Sequence, residues 1–214
     1  MIAVIKGDII SSRKITDQEK WLLPLKELLS SWGTSPLDWE LVWGDFFQLQ
    51  ISNPEEALQK AFEIKALIKK IEPIDEYKKK STIDVRMSIG LGDKSYSGTR
   101  ISESNSSAFI HAGEKFDLLK KETVTIGIKS PWTDFDKEIN LYLKLAGKFM
   151  DNWSVLAAEL VEIVLKSPNA TQEEIGNALG IKQSAVSGRW NRANIDELLE
   201  VERVYREKIN ILMK

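Results

Sequence analysis

The first 130 residues alternate strand-patterned and helix-patterned runs, and that order leaves few topologies open. Ala3-Val-Ile5 is an apolar run closed by Gly7-Asp8 and reads as a buried strand. Trp21, Leu22, Leu25, Leu28 and Leu29 recur at helical spacing, so a helix to about Trp32 follows, with Thr16 or Asp17 as its cap. Gly33-Thr-Ser-Pro36 stops it. Runs at about Trp39–Trp43 and Phe46–Ile51 meet at Gly44-Asp45, a tight hairpin signal. Asn53-Pro54 opens a second helix whose apolar face is Ala57, Ala61, Ile64, Leu67, Ile68 and Ile71. Asp84–Leu91 alternates Val85, Met87, Ile89 and Leu91 against Arg86, Ser88 and Gly90, the period of a half-buried strand. A polar loop from Gly92 to Ser107, a helix to about Lys121 and a strand Thr123–Ile128 complete the set. The order β-α-β-β-α-β-α-β sets a hairpin between two crossover units. It predicts an α+β fold, a ferredoxin-like or palm-like sheet with helices on one face.

After Pro131 the pattern is helical. Trp132 to Leu165 reads as two helices broken near Lys148–Asn152, and Ser167-Pro-Asn-Ala170 as a linker. Three units are expected: an α+β domain over 1–130, a helical connector over 131–166, and an all-α domain over 167–214.

The sharpest motif opens that last unit. Thr171 can cap a helix, and Glu174 three residues on completes a capping box. Ile175, Ala178 and Leu179 form a buried face, and Gly180 suits a left-handed turn. Gln183 or Ser184 starts a second helix, with Val186 and Trp190 inward. Its outward face would carry Lys182, Gln183, Ser184, Ser187, Arg189 and Arg192, donors suited to phosphates and base edges. The segment resembles the helix-turn-helix of bacterial regulators, which implies double-stranded DNA as a partner. The bland alternative is an αα-hairpin without nucleic acid. Thirty Lys+Arg against 32 Asp+Glu give the chain a net charge of −2, so DNA binding must come from a local patch. Lys182 to Arg192 is such a patch, basic and free of acid. The last helix places Leu198, Tyr205 and Leu212 seven apart, with Ile195 and Ile209 beside them, a stripe able to pair two chains into a homodimer.

Two carboxylates fall in loop-like motifs, Asp8 in Lys6-Gly-Asp8-Ile-Ile-Ser-Ser-Arg13 and Asp45 in Trp43-Gly-Asp45-Phe-Phe-Gln48. On one side of a sheet they could hold magnesium and the phosphates of a nucleotide, helped by Ser11, Ser12 and Arg13. The alternative is Asp side chains that cap turns. The arrangement resembles class III nucleotide cyclases and GGDEF domains, with Asp8 and Asp45 at the metal positions and Arg86-Met-Ser-Ile-Gly-Leu-Gly92 as the later strand. Phe46 stands where a GGDEF hairpin has glutamate. Ile110 and Glu114 stand nearest the cyclase groups that grip the transition state, and Glu114 has the wrong sign for that task. The resemblance therefore implies a cyclase-like palm without turnover.

These motifs in this order, with the C-terminal helix-turn-helix, resemble the SatD family over nearly the whole chain. Its members are described as cytoplasmic transcriptional regulators. Many carry Glu at the position of Phe46 and a different helix start from Ser106-Ser-Ala-Phe-Ile-His-Ala112. The expected function is a DNA-binding transcriptional regulator with a catalytically degenerate cyclase-like sensory or assembly domain. The alternatives are a nucleotide- or metal-dependent enzyme of that fold and a non-enzymatic protein–protein scaffold.

Other chemistries are excluded by what the chain lacks. With no cysteine there are no disulfides, thiolate zinc sites or thiol nucleophiles, which fits a reducing cytoplasm. A single histidine, His111, makes histidine metal sites and serine triads poor candidates and reads as structural. No apolar run approaches a membrane span, and Met1-Ile-Ala-Val-Ile-Lys6 enters a strand without a signal peptide. The scattered Trp residues read as packing. Lys69-Lys70 and Lys78-Lys-Lys80 read as a solvated basic cluster, or else a second phosphate contact.

Overall fold

The computed structural model describes residues 1–42, 44–75, 77–93, 99–104 and 106–214. Trp43, named above as a strand end, lies outside them. The fold is mixed α+β, a five-stranded sheet with eight helices among the described residues. In chain order these are β1 (Ile2–Ile10), α1 (Glu19–Ser30), β2 (Trp39–Val42), β3 (Phe46–Ile51), α2 (Ala57–Lys69), β4 (Asp84–Gly92), α3 (Ser107–Leu119) and β5 (Ile126–Lys129). Then come α4 (Thr133–Met150), α5 (Val155–Lys166), α6 (Gln172–Leu179), α7 (Gln183–Ala193) and α8 (Ile195–Leu212).

The strand order is β2-β3-β1-β4-β5. Strand β1 runs antiparallel to both neighbours, and β5 is parallel to β4. The α1 and α2 connections therefore each skip one strand and interleave around β1.

The sheet departs from the sequence pattern in two respects. Strand β1 does not end at Gly7-Asp8; it runs on to Ile10. Gly7 is present for packing, because a Cβ there would lie 2.3 Å from the Phe47 ring. Nor do the helices keep to one face. Ala3, Ile5 and Ile9 face the main core with α2, whereas Ile2 and Val4 pack with Ala108, Phe109 and Ala112 of α3 on the other side. The back of β4 is nearly bare, Ser88, Gly90 and Gly92, and that lets α3 approach. A Cβ on Gly90 would come within 2.1 Å of the Ala108 carbonyl oxygen. An apolar run on both faces of β1 marks a strand covered on both sides.

Helix α2 is buried nearly all round, between the sheet and α5. The main apolar cluster continues from it into α5, α7 and α8. Lys65 at its centre is completely buried, with Nζ 2.6 Å from both Asp84 and Asp151 and 3.2 Å from Thr125 Oγ1. Lys69 reaches Asp84 at 3.3 Å and the Asp151 carbonyl at 2.9 Å, and burial lowers its pKa while Asp84 opposes that shift. This network fastens the sheet to the α4–α5 corner. It also corrects the basic cluster: Lys69 is buried, Lys70 pairs with Glu162, and Lys80 donates to Asn152. Among the described residues no helix is long and apolar enough to cross a membrane.

Candidate functional site

The α6–α7 pair forms as its local chemistry dictates. Thr171 and Glu174 make both halves of the capping box: the Glu174 amide donates to Thr171 Oγ1 at 3.2 Å and the Thr171 amide donates to Glu174 Oε2 at 2.8 Å. Gly180 ends α6 at φ 64°, left-handed as expected. Gly176 lets the turn fold back: the Ile181 amide donates to its carbonyl at 2.9 Å, and a Cβ on Gly176 would meet the Ile181 carbonyl at 2.8 Å. Val186 and Ala193 hold α7 to the core, and Trp153 Nε1 donates to the Ala193 carbonyl. Trp190 is partly buried against the same core and donates to Asp196.

With those contacts fixed, the helical period brings Ser184, Ser187, Gly188, Asn191 and Arg192 to the face away from the core. Lys182, Gln183, Ser184 and Arg192 are exposed, and Ser187 is half-buried. Gln183 Nε2 donates to Gln172, tying the two helices at their solvent edge. The Gln183 and Ser184 amides have no acceptor among the described residues, so the positive end of α7 is open. Arg189 departs from expectation. Its guanidinium turns back to Glu159 on α5 at 3.2 Å and does not lie on the outward face. Asn191, not among the residues expected on that face, is exposed there, seven positions after Ser184 and four after Ser187.

The α8 stripe is not a seam for a second chain. Ile195, Leu198, Tyr205 and Ile209 are buried in their own chain, and only Leu212 is exposed. Tyr205 rests on Phe135 of α4, and its hydroxyl donates to the Pro54 carbonyl at 2.7 Å. Heptad spacing therefore marks intramolecular packing here, and the homodimer expected from this stripe loses its basis.

Asp8 lies within β1, opposite Phe46 on one side and Arg86 on the other. Asp45 lies in the β2–β3 turn, where its carbonyl accepts from the Ile9 amide at 3.0 Å and its Oδ2 from Ser12 Oγ at 2.8 Å. Ser11 bends the chain between them at φ 63°. Burial raises the Asp8 pKa; Arg86 and Lys120 oppose the rise, and the Asp45 charge adds to it. The two carboxylates thus feel one another's field. The cation beside Asp8 is Arg86, Nη1 at 3.7 Å from Oδ1, rather than the exposed Arg13. The strand register, not the nearby motif, supplies it.

A cleft of about 350 Å³ opens beside Asp8, lined by Lys6, Phe46, Phe116, Asp117 and Lys120. Phe46 meets Phe116 edge to face at 5.4 Å. Asp8 Oδ1 is buried without a hydrogen bond, whereas Asp45 Oδ2 is engaged by Ser12. Two carboxylates alone would leave most of a magnesium ion's shell to phosphate or water oxygens. Among the described residues no group of three or more His, Cys, Asp or Glu could hold a metal. Glu114 pairs with Lys129 at 2.5 Å and Ile110 faces solvent, so neither offers a donor to a developing phosphate charge. His111 Nδ1 bonds the Leu91 carbonyl at 2.6 Å, a structural use.

No family model matches the chain, and no curated protein matches it.

Proposed function

We propose that the protein is a DNA-binding transcriptional regulator in which α6 and α7 form a helix-turn-helix and α7 enters the major groove. The observation that carries this is the outward face of α7. It presents Lys182, Ser184, Ser187, Asn191 and Arg192, has no acidic residue, and stands on a capped, glycine-turned support fixed to the core. Asn suits adenine and Arg suits guanine edges, while Lys182 and the open amides of α7 suit phosphate. A helix of ~10–12 Å diameter fits a groove ~12 Å wide.

The sheet is a ferredoxin-like palm in this reading, since α1 and α2 cross over interleaved strands as that fold requires. Phe46, Ile110 and Glu114 make it a scaffold or sensor rather than a cyclase. The motif order resembling the SatD family supports the same assignment. A second reading, nucleotide binding at Asp8 with magnesium, is favoured by the unbonded Asp8 Oδ1 and the adjoining cleft.

Genome-wide capture of DNA bound by the tagged protein, followed by titration of the recovered duplex, tests the proposal. Asn191→Ala should cost about 1–3 kcal/mol on that duplex and relax preference at one base pair. Equal binding of both proteins across sequences would remove α7 as the reading element. Hydrolysis or cyclisation of a nucleoside triphosphate with magnesium would favour the enzyme instead.

A further inference from the structure

A cleft of about 430 Å³ lies where the 78–79 segment, the first turn of α5 and the side of α7 meet. It is built from these three parts of the chain and Glu72, and a backbone bond joins two of them: the Val155 amide donates to the Lys79 carbonyl at 2.9 Å. Among the described residues its lining is mostly cationic, with Lys78, Lys79, Arg189 and Arg192 against Glu72. Arg189 is neutralised by Glu159, and Lys78 lies 3.6 Å from Asp75. Lys79 and Arg192 have no acidic partner among the described residues.

Two features keep the Arg192 head and the floor of the cleft available. The guanidinium lies over Gly188, where a Cβ would stand 3.3 Å from Nη1. At the start of α5 the Ala157 amide is capped by Ser154 Oγ, but the Leu156 amide has no acceptor among the described residues. Lys79, Arg192 and Leu156 thus line one cavity, with Val155 and Ala157 as its apolar wall. With Arg189 and Lys78 paired, Lys79 and Arg192 face Glu72, which leaves a cationic excess that a phosphate monoester, with three oxygens to accept from several donors, would offset. The volume is at the small end of ligand sites, ~300–1,000 Å³.

We propose that this cleft binds a small phosphorylated anion of nucleoside-monophosphate size, its phosphate held by Lys79, Arg192 and the Leu156 amide. Because Arg192 also belongs to the outward face of α7, an occupied cleft draws its guanidinium away from DNA. That coupling rests on the DNA reading above; binding to the cleft does not.

Calorimetry on the full chain with AMP, and separately with inorganic phosphate, tests the site. EDTA in the buffer keeps any magnesium-dependent binding at Asp8 out of the measurement. Saturable heat is expected with AMP, and Lys79→Gln or Arg192→Gln should weaken binding tenfold or more. Lys6→Gln, in the other cleft, should change nothing. No saturable heat at millimolar AMP or phosphate, or heat that both variants retain, overturns the proposal. A random-sequence duplex separates the sources of phosphate. If Lys79→Gln weakens duplex binding while AMP gives no heat, the cleft takes backbone phosphate and the small-anion proposal fails. If AMP binds and no duplex does, the cleft stands and the DNA reading falls.

Discussion

Replacing Lys65 by Met removes the centre of the buried ion network while keeping the unbranched stem and most of the volume. Two charge-assisted contacts of 2.6 Å and one of 3.2 Å are lost. Breaking a buried pair on one side costs ~3–5 kcal/mol, because the partner charge stays behind. Here the partners are not wholly stranded. Asp84 keeps Lys69 at 3.3 Å and the Val85 amide at 2.7 Å, and Asp151 keeps Thr125 Oγ1 at 2.7 Å. Their side chains are also 18% and 33% accessible, so water can help. The expected loss is therefore about 2–3 kcal/mol, below the full penalty for a buried pair. At ~2–4 °C per kcal/mol for a chain of this size, Tm should fall by about 4–12 °C. Urea unfolding followed by tryptophan fluorescence, with calorimetry alongside, measures both. A loss under about 0.5 kcal/mol, or a gain, would show that the network holds the sheet to the helices no better than an apolar contact would.

Gly90→Ala would drive a Cβ to 2.1 Å from the Ala108 carbonyl oxygen and 2.3 Å from the Ala112 amide, both backbone. It should cost about 3 kcal/mol or more, and urea midpoints will show it. Gly180→Ala meets open space but keeps φ 64°, so it should cost ~1–2 kcal/mol in the same assay. Asp8→Asn should stabilise the fold at neutral pH. The folded pKa of Asp8 is raised, so its stabilising contribution is present below the ordinary carboxylate value and lost as pH rises through the folded value. The advantage of the variant should therefore vanish on acidification to about pH 3, and an advantage independent of pH would contradict the assignment.

What was legible in the sequence was local. The capping box at Thr171, the glycine turn at Gly180 and the α4–α5 break each depend on a few neighbouring residues. What was not legible depends on register and distance. Asp8 meets Arg86 because β1 and β4 pair, and Lys65 meets Asp151 although 86 positions separate them. Lysines near the end of an apolar helix read as a solvated flank, and nothing local says that α5 will cover them. The α8 stripe shows the converse. Its spacing is right for a partner helix, but the partner is α4 and the Pro54 segment of the same chain. Gly90 reads as the outward side of a half-buried strand and Gly92 as the start of a loop, yet both are the clearance for α3. Arg189 and Asn191 exchange roles for a similar reason, since α5 supplies the Glu159 that draws Arg189 inward.

The proposed function requires that the outward face of α7 bind duplex DNA. Fluorescence anisotropy of the full chain on the captured duplex, as a function of salt, tests it most directly. The cations on that face are few, Lys182 toward phosphate and Arg192 toward a base edge, so log K should fall with log salt at a shallow slope of about −2. Lys182→Gln should reduce that slope by about 1. Binding that ignores both salt and Lys182→Gln, or no binding at about 50 mM salt, would contradict the account.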